Sequence, residues 1–160
     1  CLASQRWIDH VAAHGPFHTA QELHTAADTA ADALDDADWQ EAFTAHPRIG
    51  DREVLRARLT PSAPTGGSGW EGGEQSGVDL LDESLLDELA SANAAYEQQF
   101  GFIFLICATG LTGQQMLDAL RTRITNDAST ELAVAAGEQR KIMHLRIDKL
   151  ITELGITSED

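Results

Sequence analysis

The sequence predicts an all-α protein: a single-domain helical bundle with one buried extended or short helical segment near residues 102–107. Three observations carry that expectation. Apolar residues recur at helical spacing along most of the chain. Capping-box signatures open two of these runs, Thr19-Ala20-Gln21-Glu22 and Thr112-Gly113-Gln114-Gln115. The most apolar stretch, Phe102 to Cys107, has no second convincing strand to pair with. As a lone strand it would leave its backbone hydrogen-bonding groups without partners.

The 160 residues suit one domain, 1–160, long enough to bury a core. With 26 acidic against 11 basic residues the formal charge is −15. Such a surface repels phosphate backbones and anionic lipid, so neither a nucleic acid nor a membrane is expected as a partner. The longest apolar run is too short to span a bilayer. Of the two cysteines, Cys1 and Cys107, the second reads as a small buried core residue. Nothing suggests a disulfide framework, so a reducing, cytoplasmic location is expected. No targeting segment is visible. The opening Cys1, with no methionine before it, leads us to expect a truncated N-terminus.

Taken in order, Ser4 to His14 carries Trp7, Ile8 and Val11 at helical spacing, and Gly15-Pro16 stops that helix. His10, His14 and His18 fall four apart, as metal ligands on one helix face would. Pro16 interrupts the helix before His18 and no carboxylate or thiol shares the spacing, so solvent-facing histidines are the better reading. The second helix opens at the Thr19 box and turns Leu23, Ala27, Ala30 and Leu34 inward. Asp32, Asp35, Asp36 and Asp38 lack the pattern of a calcium loop and read as a solvated helix junction. Asp38 is expected to cap a short helix bearing Trp39, Ala42 and Phe43.

That helix delivers the chain to His46-Pro47-Arg48-Ile49-Gly50. Pro47 disfavours helical geometry at His46, which places the imidazole at a helix end. With a pKa near neutrality, such a histidine suits general acid–base work, although an isolated His-Pro is more often an exposed capping loop. Asp51 to Leu59 reads as a short charged helix. Thr60 to Gly73 holds two prolines and five glycines and reads as a flexible loop, docked by Trp70. The glycine spacing from Gly67 to Gly72 imitates a dinucleotide fingerprint, but no strand precedes it and no βαβ unit surrounds it.

Leu80 to Phe100 is a long amphipathic helix with Leu81, Leu85, Leu89, Ala92 and Tyr96 as its inner stripe and Gly101 as its stop. After the 102–107 run, the Thr112 box starts a helix with Met116, Leu117, Leu120 and Ile124. A turn at Asn126-Asp127 leads into the last helix, about Ser129 to Leu154, with Leu132, Ala135, Ala136, Ile142, Leu145 and Leu150 inward and Gly155 as its stop. Arg146 lies between Leu145 and Ile147. It either faces a pocket or snorkels to solvent or an ion pair, and periodicity favours the second.

The succession His46-Pro47-Arg48-Ile49-Gly50, Glu74-Gln75, Phe100-Gly101-Phe102-Ile103-Phe104-Leu105-Ile106, Arg121 to Asn126, Glu131 and Leu145-Arg146-Ile147 resembles the 2-oxo-4-hydroxy-4-carboxy-5-ureidoimidazoline (OHCU) decarboxylase family of urate degradation. The likeness runs from Trp7 to the last helix. The resemblance implies an all-α homodimer that needs no metal or organic cofactor and converts OHCU to (S)-allantoin with loss of CO2. Residue by residue, it implies that His46 is the catalytic proton donor and Glu74 its acidic partner. Pro47, Gln75, Phe102, Ile103, Phe104, Leu105 and Ile106 would line the substrate. Arg146, in preference to Arg123, would contact it from the last helix. Glu71 stands where family members often have a serine, which puts the polar contacts of that loop in question. The competing expectations are a hydrolase acting on a related cyclic ureide and a non-enzymatic acidic helical interaction module.

Overall fold

The computed structural model describes residues 1–46 and 83–155, and among these it contains six helices and no strand. They are α1 (Gln5–His14), α2 (Ala20–Asp32), α3 (Asp36–Phe43), α4 (Glu83–Phe100), α5 (Gly113–Arg123) and α6 (Ala128–Leu154). The expected all-α class is therefore what the chain adopts. The readings at 47–82, including the Asp51 helix, the glycine loop with Trp70 and Glu71, and Leu81, lie outside the described residues. The chain divides into two compact units, residues 1–45 with 136–160, and residues 46–135.

In the first unit, Ser4 caps α1 by accepting from Trp7 N, and Thr19 and Glu22 form the expected reciprocal box at α2. The buried face of α2 is Leu23, Ala26, Ala27, Ala30 and Ala31, small enough for α1 to approach closely. There Trp7 buries its ring and donates Nε1–H to the Ala27 carbonyl at 3.0 Å. Ile8, expected inside, is 45% exposed, because α1 buries the Trp7 line and Ile8 lies about 100° around the helix from it. The helix after the acidic junction starts one turn earlier than expected. Asp35, not Asp38, is its N-cap: Asp35 accepts from Ala37 N and Asp38 N, and Asp38 accepts in return from Asp35 N at 3.0 Å. That register satisfies two otherwise orphaned donors at once.

The part of α6 in this unit buries Ile142, Met143, Ile147 and Ile151; Leu145 and Leu150 are only half-buried, and Leu154 is exposed. It meets α2 through polar contacts as well. Asp148 accepts from His24 Nε2 (2.9 Å), the His24 and His144 Nδ1 atoms face each other at 2.9 Å, and His144 Nε2 reaches Asp28 (2.9 Å). One turn along, Arg140 pairs with Asp32 at 2.6 Å and lies over the Trp39 ring.

In the second unit, α4 packs on α5. The fully buried line of α4 is Leu86, Leu89, Asn93 and Tyr96, with Leu85 and Ala92 at its margin. The expected stripe is thus right at Leu89 and Tyr96 and rotated slightly elsewhere. Asn93 is admitted to the core because its Nδ2 donates to the Leu89 carbonyl of its own helix at 2.9 Å. Leu86 and Leu89 pack with Ala108, Met116 and Leu117, and Tyr96 packs with Phe104 and Leu120. Asp127, at the start of α6, accepts from Ser129 Oγ and Thr130 Oγ1, each at 2.6 Å, and from Thr130 N at 2.9 Å. Those hydrogen bonds, with the Ser129 hydroxyl first, hold its carboxyl well below the usual aspartate range.

Candidate active site

His46 follows α3 at a bend, half-buried, three residues beyond Phe43, the last of the anchoring side chains Trp39, Ala42 and Phe43. It stands off the helix end, as expected for a residue preceding proline. Pro47, Glu74 and Gln75 lie outside the described residues. Arg146 sits on α6 in the other unit, half-buried, with Nη1 donating to the Cys1 carbonyl at 3.4 Å.

The segment expected to line a substrate belongs to the same unit as His46. Gly101 turns the chain out of α4 at φ +79°, a conformation that side-chain-bearing residues rarely adopt. Residues 103–108 then form neither helix nor strand. Phe104 and Leu105 are buried, while Phe102, Ile103, Ile106 and Cys107 are half-buried, so Cys107 is less enclosed than its apolar neighbours suggested. The rings cluster around Tyr96: Phe102 and Phe104 meet it edge-on at 5.8 and 5.2 Å, and Phe100 tilts against it at 4.7 Å. Edge-to-face contacts of this kind stabilise by about 0.5–1.5 kcal/mol beyond the area they bury.

A polar network that periodicity did not reveal secures this aromatic layer. Glu131, in the first turn of α6, is 0% exposed. Its Oε1 accepts from Arg123 Nε (2.9 Å) and Nη2 (2.6 Å) and from the Tyr96 hydroxyl, and its Oε2 accepts from Asn126 Nδ2 (2.7 Å). Arg123, at the end of α5, donates its remaining arm, Nη1, to the Leu105 carbonyl at 2.6 Å. The same guanidinium lies over the Phe104 ring, 4.6 Å from its centroid. Burial, and then the bond to Glu131, push the Tyr96 hydroxyl well above its ordinary pKa, so it is a neutral donor at any physiological pH. The visible signal was the spacing Arg123, Asn126, Glu131 around a turn. That the charges face inward is a matter of tertiary packing.

Among the described residues, no group of three or more His, Cys, Asp or Glu side chains is arranged to hold a metal ion. His14 Nδ1 is bonded to the His10 carbonyl at 2.7 Å, and His18 lies beyond the helix end. The architecture is thus a histidine at a helix end and an apolar, non-helical backbone segment pinned by a buried arginine.

This combination matches a known family across nearly the whole chain: the OHCU decarboxylase family model covers residues 1–148. The chain belongs to the OHCU decarboxylase family. A crystal structure of OHCU decarboxylase in the presence of (S)-allantoin superposes with a TM-score of 0.74 at 35% identity, covering 95% of this chain and 94% of that one. The uric acid degradation bifunctional protein of Arabidopsis thaliana is 37% identical over 154 residues, 96% of this chain. This chain spans 46% of that longer protein. The 2-oxo-4-hydroxy-4-carboxy-5-ureidoimidazoline decarboxylase of Xenopus laevis is 30% identical over 145 residues, 87% of this chain and 79% of its own.

Proposed function

We propose that this chain decarboxylates OHCU to (S)-allantoin in urate degradation, as a lyase that works without a cofactor. The observation that carries the reading is the family match through residues 1–148, joined to a fold shared at 35% identity with an OHCU decarboxylase. Because that match runs unbroken through both compact units, we treat residues 1–160 as one catalytic domain.

The chemistry accounts for the residue types. In OHCU the carbon that loses CO2 adjoins a C=N bond of the ring, so the electron pair left behind is delocalised into the substrate. No external electron sink is needed. What the protein supplies is orientation, an apolar surrounding for the departing CO2, and a proton delivered to one face. In this reading Glu74 helps take the proton from the hydroxyl as its carbon becomes a carbonyl, and His46 is the donor that protonates the adjoining, ureido-bearing ring carbon, into which the electron pair left by CO2 is delocalised. Phe102 and Ile106 provide the dry surface with the backbone of Ile103, while Phe104 and Leu105 back it from the core. Pro47 lines the substrate beside His46, while Gln75 and Arg146 hold the ureido and carbonyl groups of the ring. A well-placed acid or base contributes about a hundred- to ten-thousand-fold. We also assign a homodimer and a cytoplasmic location, on the family resemblance and on the free Cys1 and Cys107 thiols respectively.

The test is chiral analysis of allantoin formed from freshly generated OHCU, with CO2 release followed in parallel. Wild-type protein should accelerate CO2 loss and yield the (S) form in excess; His46→Ala and Glu74→Ala should give racemic product at the spontaneous rate while remaining folded. Consumption of OHCU without CO2 release would overturn the reading in favour of a hydrolase. Wild-type turnover in both variants would remove the roles assigned to His46 and Glu74.

A further inference from the structure

We propose that Arg123, oriented by Glu131, is a positioning residue for the decarboxylation: it sets the direction of the Leu105–Ile106 peptide on which the substrate-facing backbone depends. The inference rests on the proposed function, in that the 102–106 segment is taken to line the substrate.

The geometry is unusual in how much one side chain controls. Residues 103–108 have no helical or strand ladder to orient their peptide groups. Arg123 holds two consecutive residues of that segment, Phe104 through its ring face (4.6 Å) and Leu105 through its carbonyl oxygen (2.6 Å). A trans peptide is planar, with C=O and N–H on opposite sides. Fixing the Leu105 carbonyl toward Arg123 therefore aims the Ile106 N–H to the other side of the segment, away from the buried charge. A backbone donor aimed in this way suits a ring carbonyl or a carboxylate, groups that OHCU carries. The guanidinium is held in place because Nε and Nη2 both donate to Glu131 Oε1, which also accepts from the Tyr96 hydroxyl, while Asn126 Nδ2 fixes the other carboxylate oxygen, Oε2. Arg123 is an arginine, not a lysine, for the same reason: only a planar fork serves a carboxylate with one edge and a carbonyl with another.

Arg123→Lys is the informative variant, because it keeps the charge beside Glu131 and gives up the second edge. A displacement of about 1 Å at a reacting centre costs on the order of a hundredfold. We expect Arg123→Lys to lower kcat by about that factor, with a smaller change in KM, and to reduce the (S) excess of the allantoin. Leu23→Ala, a core truncation in the other unit, serves as the control for lost stability and should leave kcat per folded molecule and the (S) excess unchanged. Should Arg123→Lys fail to fold, Tyr96→Phe loosens Glu131 by one hydrogen bond and should move kcat and enantiomeric excess the same way by a smaller factor. Folding is checked by circular dichroism. A folded Arg123→Lys, or failing that a folded Tyr96→Phe, with wild-type kcat, KM and enantiomeric excess overturns the positioning role and leaves the decarboxylase reading standing. Wild-type protein that neither accelerates CO2 loss nor yields (S)-allantoin removes both.

Discussion

Glu131→Gln tests the energetics of the second unit most directly, since the side chain keeps its shape and loses only charge and acceptors. In the native protein, four donors converge on the carboxylate, from Tyr96, from Arg123 twice and from Asn126. If the glutamine oxygen takes the Oε1 position, its Nε2 meets Asn126 Nδ2, donor against donor. If it is flipped, the amide confronts the Arg123 fork instead. Either way the guanidinium, with a side chain 10% exposed, becomes a buried charge without its counterion. Removing one partner of such a pair costs about 3–5 kcal/mol. A urea titration at pH 7, followed by circular dichroism, should therefore show the midpoint falling by about 1 M or more, at a slope of roughly 1–3 kcal/mol per M. The double variant with Arg123→Met should be less damaging than the two single changes summed, by about 0.5–3 kcal/mol, because it removes the stranded charge. A loss under about 1 kcal/mol in Glu131→Gln, or strict additivity in the cycle, would refute the view that the pair is buried and coupled.

Two pH dependences follow from the same unit. Asp127 has a carboxyl pKa depressed below its ordinary value of 3.8, so its contribution is present above that value and is lost as pH falls below it. Acid titrations of wild type and Asp127→Asn should converge toward low pH and separate above about pH 4; parallel curves would contradict the capping role. Tyr96 has a hydroxyl pKa raised above 10.0, so its contribution is complete below that value and is lost as pH rises past it. Because Tyr96 is the chain's only tyrosine, tyrosinate absorbance should appear together with alkaline unfolding and not before it. Ionisation at the ordinary value in a folded protein would contradict its burial against Glu131.

The helices were legible because their ends are written in short-range chemistry. Thr19 with Glu22 and Thr112 with Gln115 formed the boxes that their spacing announced. Ser4 at the start of α1 and Gly155, at φ +64° just past α6, also stand at the boundaries expected of them. Where two aspartates three apart both suited a cap, Asp35 and Asp38, periodicity chose the wrong one, because only the pair together shows which register satisfies more donors. The inner face of α4 was read to within one residue, since neighbours on a helix differ by 100° and only packing decides between Leu85 and Leu86. For the candidate site the sequence offers a list, His46 and the 102–106 run, but no arrangement. Arg123 and Glu131 stood in the sequence as parts of the family pattern, with Arg123 weighed against Arg146 for the substrate, and nothing local to either residue specifies that both point inward and pair.

The buried pair also bears on why a small helical enzyme tolerates an irregular segment in its interior. A buried carbonyl without a partner costs about 1–3 kcal/mol, and residues 103–108 lack the ladder that would normally supply partners. Arg123 answers that need at Leu105, and its own charge then requires Glu131. By itself the pair is weak evidence for stability, since well-packed apolar residues often replace such pairs at no loss. An apolar replacement would, however, strand the Leu105 carbonyl and release the peptide that follows it. Helix would satisfy the same backbone more cheaply, but a helix turns its N–H groups along its own axis and has none to offer sideways. The cost of an internal ion pair is thus tied to keeping the apolar 103–108 segment out of helical geometry while its Leu105 carbonyl stays satisfied.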